Sequence, residues 1–369
     1  MDCGVFIPIA NNGWIISKTS PQYMPTFELN RQTCLRAESV GFDFALSMVK
    51  FRGYGGVTEQ WDFVAESFTL VAGLAAATTR LKLYAAVSTL TMHPAIVARM
   101  VSTISDISDG RCGVNMVSGW NKHEFTQMGL WPGDDWYQER YEFSTEYVAV
   151  MRKLWDSGRA SHAGKYFKLD DCFCQPVPHE PITVLCAGQS DRGFQYAAEV
   201  GDYNFMAGTL DELRGLRDKL DVACELTGRK VGGYALFGIV TAETDDAAVA
   251  MANHFLDGTD QEAVGNLHGY NAQDTHGGST GSVRKGRLAR PTIELPENGL
   301  AAYVLGSCFA IPHLVGSYSR IAKYLDQVEL FGGLDGVVLT FPEFVSGVGE
   351  FGDQIMPLMV TRGEEVGAV

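Results

Sequence analysis

Eight short β-branched or apolar runs alternate with eight stretches of helical periodicity along this chain, and that alternation predicts an α/β fold, a (β/α)8 barrel with a parallel sheet. Two further observations agree. The 369 residues suffice for one barrel domain spanning 1–369. An apolar content of 46% with mean hydropathy of −0.02 describes a globular protein that can bury a sizeable core. A doubly wound sheet is the weaker alternative.

Taken in order, strands are expected at 5–9, 42–46, 81–87, 112–117, 182–186, 202–206, 234–240 and 336–341, each rich in Val, Ile, Leu or aromatic residues. Helices are expected at 26–40, 62–77, 94–108, 139–155, 191–200, 209–227, 244–256 and 317–328. In the fourth, Phe143, Tyr147, Val150, Met151 and Leu154 recur at helical spacing and form one apolar stripe for the sheet. Ser190 stands as a cap directly after a strand, and Thr209 with Glu212 has capping-box spacing. Two segments exceed the minimal repeat. One is 121–135, with Trp131 and nearby Trp136 flanking Gly133, Asp134 and Asp135. The other is 258–312, rich in Gly, Asn, His and Thr, read as a looped insertion after strand seven. Both are expected at the C-terminal face, where barrel active sites lie.

The net charge of −15 and pI near 4.9 repel phosphate backbones, which excludes nucleic acid as a partner. The basic group Arg284, Lys285, Arg287 and Arg290 sits in a Gly-rich stretch and reads as a solvated loop. Eight scattered cysteines read as buried thiols of a reduced, cytoplasmic protein. Cys172 and Cys174 lack a second Cys/His pair at zinc spacing, so no metal is expected. No apolar run approaches the ~18 residues of a membrane span. The start MDCGVFIPIA carries an acid where a signal peptide has a base.

Several polar residues stand where a barrel holds ligands. Asn115 falls near the end of strand four among apolar neighbours, as a ligand group or as a structural amide. Arg140 opens a helix, where it suits an anion or a surface ion pair with Glu139 or Glu142. Ser190 suits a phosphate or an ordinary cap, and Lys50 a ligand or a solvated loop. His93, before Pro94, reads as a cap or packing residue more readily than as an acid/base. GVGEFG at 347–352 matches a dinucleotide fingerprint, but too little chain remains after it for the rest of that unit, and it reads as a flexible turn. No triad, HExxH run or paired-carboxylate motif is found, so a cofactor is expected to carry any chemistry.

The strings GVFIPIANNGWIIS, PQYMPTFELN, GFDFALSM, PAIVARM, GVNMVSGW, WPGDDW, CAGQSD, ETDDAA, LVGSY and GVVLTF together resemble the bacterial luciferase-like flavin monooxygenases, in particular their pyrimidine-oxidising branch. The resemblance implies a (β/α)8 barrel that takes reduced FMN from a separate NADH-dependent flavin reductase. With oxygen it opens the ring of uracil or thymine to ureidoacrylate by way of a flavin peroxide, in pyrimidine degradation. It places Val49, Lys50, Asn115, Glu124, Arg140, Tyr141 and Ser190 at FMN-binding positions, and Leu46, Met48, Asn115 and Val117 around the oxygen. Asn115 would hold the oxygen species. Ala86 departs from the pattern, standing where that branch has a threonine to donate to it. A homo-oligomer, dimer or tetramer, is also expected. Alternatives are the same flavin chemistry on a sulfone or halogenated aromatic, or a flavin-binding protein that does not turn over. A cofactor-free hydrolase would need a nucleophile or metal cluster that the sequence lacks.

Overall fold

The computed structural model describes residues 1–273 and 289–362. Eight parallel strands close into a barrel in the order β1 (Asp2–Phe6), β2 (Phe44–Leu46), β3 (Lys82–Ser88), β4 (Cys112–Val117), β7 (Thr183–Ala187), β8 (Tyr203–Met206), β9 (Gly232–Ala242) and β12 (Gly336–Thr340), with β12 returning to β1. Beside the closed barrel stand two antiparallel pairs, β5 (Arg159–Ala163) with β6 (Lys168–Phe173), and β10 (Ala302–Gly306) with β11 (Phe309–Ser317). Around the barrel lie α1 (Phe27–Val40), α2 (Ser67–Ala77), α3 (Pro94–Ile107), α5 (Trp136–Ser157), α6 (Asp191–Val200), α7 (Leu210–Thr227), α8 (Asp245–Asp257) and α10 (Tyr318–Leu330). Shorter helices are α4 (Lys122–Thr126), α9 (Gln261–Asn271) and α11 (Phe344–Glu350). No helix of the described residues is long and apolar enough to cross a membrane.

Strand alternation sorts side chains into two cores. Val5, Ala45, Leu83, Ala85, Val87, Val114, Met116, Val184, Phe237 and Leu339 point outward and pack under the helices. Phe6, Phe44, Leu46, Tyr84, Leu185, Tyr234 and Val338 point inward. The lower interior is an aromatic plug: the Tyr234 ring stacks on Tyr203 at 4.4 Å and on Phe44 at 4.9 Å. It fits because Gly4 and Gly113 are bare. A Cβ at Gly4 would lie 2.1 Å from the Phe44 ring, and one at Gly113 2.3 Å from that of Tyr84. With that end filled, space remains only toward the strands' C-terminal ends.

Most outer helices begin where a polar side chain satisfies their free N–H groups, whereas α5 and α10 start without a side-chain cap bond. Thr209 and Glu212 form both bonds of the capping box, and Ser190 accepts from the Gly193 N–H at 3.1 Å. The stripe on α5 is realised, with Tyr147, Val150, Met151 and Leu154 fully buried.

Some expectations need correction. The second helix starts at Ser67, not at 62, because Glu59 and Trp61 take left-handed backbone and Glu66 caps instead. The fourth starts three residues early, at Trp136. The GVGEFG run is helical rather than a turn. Its small residues let α11 and the π-helical turn Phe351–Ile355 lie against α1, where a Cβ at Gly352 would sit 2.3 Å from that of Val40.

The segment 258–312 is not simply a loop: α9, β10 and the start of β11 fall in it. Asp260 caps α9 and accepts from the Thr58 backbone and hydroxyl at 2.8 and 2.9 Å. β9 outruns the barrel, pairing with β12 as far as Gly238 and with β11 from there to Ala242. Of the basic group, Arg290 pairs with Asp257 at 2.9 Å, while Arg284, Lys285 and Arg287 lie outside the described residues.

Candidate active site

The upper barrel opens into a cavity of about 340 Å3, within the range of small-molecule sites. The strands supply Phe6, Ser88, Asn115, Val117, Ala187, Phe205 and Leu236 at or near their C-terminal ends. Loops add Trp14, Met48, Val49, Lys50, Tyr54, Trp61 and Trp120, and the extension adds Leu267 and Asn271 from α9 and Ala310 and Ile311 from β11. Carbon dominates the wall, so any charge inside it is poorly solvated.

One ion pair stands in that setting. The Lys50 ammonium meets the Glu124 carboxylate, with only 5% and 7% of the two side chains exposed. Lys50 also donates to the Tyr54 hydroxyl at 3.2 Å and lies 4.5 Å from the centre of that ring. The second Glu124 oxygen accepts from the Phe51 N–H at 3.0 Å. Burial pulls the Lys50 ammonium down, but the Tyr54 oxygen and the Glu124 carboxylate outweigh it and hold the group above its ordinary value. Lys50 is therefore a buried cation in the cavity wall rather than a solvated loop charge.

Around it the cavity has polar atoms that the protein leaves unpaired. Among the described residues, Asn115 Oδ1, Ser88 Oγ, Asn271 Oδ1 and both amide atoms of Asn121 are buried without a hydrogen-bond partner. Each such atom costs about 1–3 kcal/mol unless something meets it. Four of the cavity's residues carry them, which suits a ligand with a polar edge and argues against Asn115 as a purely structural amide. Ala86 pairs in register with Asn115 and also points inward, but offers only a methyl; its N–H is taken by Ser67 Oγ at 2.8 Å. Leu46 lies deeper, in the inward-facing cluster, with Met48 packed against it.

Arg140, Tyr141 and Ser190 do not line this cavity; they belong to the corner beside it. After Ala187 the chain turns through Gly188 into the start of α6, and the Asn204 amide fixes the turn by donating to the Gly188 carbonyl at 3.1 Å. A Cβ at Gly188 would lie 2.9 Å from the Tyr141 hydroxyl, and one at Gly193 3.1 Å from it. Two bare glycines therefore bring Tyr141 against the open N-terminus of α6. Arg140, buried and 5.1 Å from the centre of the Tyr141 ring, adds positive charge beside that corner. A helix start, a serine cap and a guanidinium together suit a phosphate.

His93 caps α3, its Nδ1 accepting from the Ala95 N–H at 3.2 Å, and has no place in the cavity. The sequence reading missed the aromatic wall of Trp14, Tyr54, Trp61 and Trp120. For Trp14, Tyr54 and Trp120 the available signal was an aromatic residue beside glycine in NNGW, RGYGG and SGW, where loops turn tightly; Trp61 has no such neighbour. Trp61 is fixed by its Nε1 donating to the Gly13 carbonyl at 2.7 Å. Trp136, expected in the covering loop, instead ties α5 to the cavity rim by donating to the Gly119 carbonyl at 2.7 Å.

The luciferase-like monooxygenase family model matches residues 1–333. A relative from Klebsiella pneumoniae (strain 342), named pyrimidine monooxygenase RutA, is 49% identical over 366 residues, covering 98% of this chain and 97% of its own. Among solved structures, a riboflavin lyase with modified FMN and riboflavin superposes with a TM-score of 0.78 at 19% identity, over 98% of this chain and 92% of that one. A long-chain alkane monooxygenase gives 0.77 at 20% identity over the same shares.

Proposed function

We propose that this chain, which belongs to the luciferase-like monooxygenase family, uses reduced FMN and oxygen to open the ring of a pyrimidine, uracil or thymine. The observation that carries the reading is a largely apolar cavity at the barrel mouth with buried, unpaired polar atoms in its wall. The name carried by the 49% identical relative supports the choice of pyrimidine. The electrons come from a separate NADH-dependent flavin reductase.

The residues present fit the cofactor. Val49, Lys50, Asn115 and Glu124 line the cavity and would hold the ring system, while Arg140, Tyr141 and Ser190 would hold the phosphate at the glycine corner. Reduced FMN, when bound, supplies the electrons that activate oxygen. Leu46, Met48 and Val117 keep the oxygen side apolar, and the Asn115 amide is the polar group there. Trp14, Leu267 and Ile311 exclude water from the reacting atoms.

The test separates phosphate recognition from general flavin affinity. Arg140→Ala should weaken FMN roughly 10- to 100-fold and leave riboflavin little changed, since a charge-assisted hydrogen bond is worth about 1.5–3 kcal/mol. Equal weakening of both removes Arg140 from the phosphate site. Oxygen uptake with reductase, NADH and FMN, followed by mass spectrometry on uracil, thymine, a sulfone and a chloroaromatic, tests the reaction. No oxygenated product with any of them, above the oxygen that free reduced FMN consumes, would leave a flavin-binding protein without turnover.

A further inference from the structure

We infer that Ser88 is a specificity residue of the cavity, its hydroxyl donating a hydrogen bond to a carbonyl oxygen of the substrate ring; the inference rests on the pyrimidine reading above. Ser88 ends β3, whose residues alternate between the two cores: Leu83, Ala85 and Val87 face the helices, while Tyr84 faces the barrel interior. Ala86 and Ser88 continue the inward row. Ala86, one pleat deeper, has no polar atom, so Ser88 carries the hydroxyl that β3 presents to the cavity.

The surroundings fix the Ser88 backbone and leave its hydroxyl unsatisfied. The Ser88 carbonyl accepts from the Thr91 N–H at 3.0 Å and from the Thr91 hydroxyl at 2.8 Å, which locks the backbone. Gly119 passes directly over the side chain, where a Cβ would come within 3.3 Å of Ser88 Oγ. The residue is 1% exposed, yet Oγ has no partner among the described residues. A buried hydroxyl on a fixed backbone, without a partner among the described residues, is a donor available to whatever fills the cavity. Its neighbour in register is Val117, an apolar cavity residue on β4, and not the glycine corner where the phosphate would lie. A neutral donor of this kind discriminates strongly for a ring carbonyl, because an analogue without that oxygen leaves it unpaired.

The experiment uses the FMN-loaded full chain and Ser88→Ala. FMN affinity is read from fluorescence, and binding of uracil, 2-pyrimidinone and 4-pyrimidinone from the perturbed flavin absorbance. Ser88→Ala should weaken uracil about tenfold, equivalent to 1.4 kcal/mol, and leave FMN affinity within about twofold. The pyrimidinone lacking the carbonyl that Ser88 meets should bind parent and variant alike. Ser88→Thr, which keeps a hydroxyl, should restore uracil affinity. A lowered melting temperature for Ser88→Ala would show a structural hydroxyl, and an equal loss of FMN would assign it to the cofactor. Either result, or unchanged uracil affinity, overturns the inference alone. A parent chain that binds FMN but no pyrimidine overturns the substrate reading as well.

Discussion

Replacing Glu124 by Gln removes one charge from a pair that has little water to fall back on, and the cost can be worked from the contacts. In the native protein the Lys50 ammonium has the Glu124 carboxylate, the Tyr54 hydroxyl and the face of the Tyr54 ring. Breaking one side of a buried pair typically costs about 3–5 kcal/mol, because the remaining ion is left uncompensated. Gln keeps one acceptor, which favours the lower end, but it must turn its amide NH2 toward either Lys50 or the Phe51 N–H, both of them donors. A loss of about 3 kcal/mol is therefore expected, a large part of a typical stability of about 5–15 kcal/mol. Urea unfolding of the parent, Glu124→Gln, Lys50→Met and the double variant closes the cycle, and a coupling of about 2 kcal/mol is expected. The pH gives a second reading. Held above its ordinary value, parent Lys50 contributes stability that is complete below the unfolded value of about 10.4 and is lost only above it. In Glu124→Gln burial dominates and depresses the ammonium, so the deficit should shrink as pH rises from about 7 to 9 and the lysine can shed its proton. Additive single effects, within about 0.5 kcal/mol, together with a pH-independent deficit would refute the argument.

Two further outcomes concern the barrel interior and the strand β11 beside it. Asn115→Ala should keep FMN bound, read by fluorescence, while product measured by mass spectrometry falls roughly 10²- to 10³-fold; Ala86→Thr, which adds a hydroxyl beside Asn115, should raise turnover of pyrimidine. His313 is fully buried, its Nδ1 on the Ile311 carbonyl at 2.9 Å, and burial lowers it from 6.5 to about 4. The unfolded chain then binds the extra proton first, so its contribution is complete above about pH 6.5 and is lost as pH falls toward 4. Urea midpoints at pH 7.5 and 4.5 should show His313→Asn losing about 2 kcal/mol less over that interval than the parent.

Every barrel strand was legible, the first displaced by three residues (5–9 expected, Asp2–Phe6 found), because inward and outward rows both need apolar side chains, which leaves short continuous runs between polar turns. Most outer helices were legible for a complementary reason: each has an apolar face, and most also have a cap, as Thr209 and Glu212 show. The extension escaped detection because α9 carries Gly265, Asn266, Gly269 and Asn271, which are weak helix formers, and is held by tertiary contacts instead. Ala263, Val264 and Leu267 pack with Ile16, Tyr54 and Trp61, far away in sequence. The same limit applied to the site. Lys50 and Asn115 stood out as polar residues beside apolar strands and Glu124 through the family resemblance, whereas nothing local marks Trp61 or Ile311 as facing the same space. Ser88 looked like any strand-end serine, and only the register placing it inward beside Val117 gives it significance.

The two walls of the cavity are built under different constraints. Asn115, Val117, Ser88 and Ala86 occupy positions set by strand register in a closed sheet, where a one-residue slip would turn every inward side chain outward. Leu267, Asn271 and Ile311 sit on α9 and β11, which join the barrel through the Asp260–Thr58 bonds and through the overrun of β9 beyond Gly238. Changing side chains there leaves the closed register untouched. Chemistry common to many substrates is therefore best placed on the strand ends, and discrimination among substrates on the extension. Ser88 stands at the junction, fixed by the barrel yet facing the space that the extension encloses, so a hydroxyl there can alter selectivity without disturbing either part.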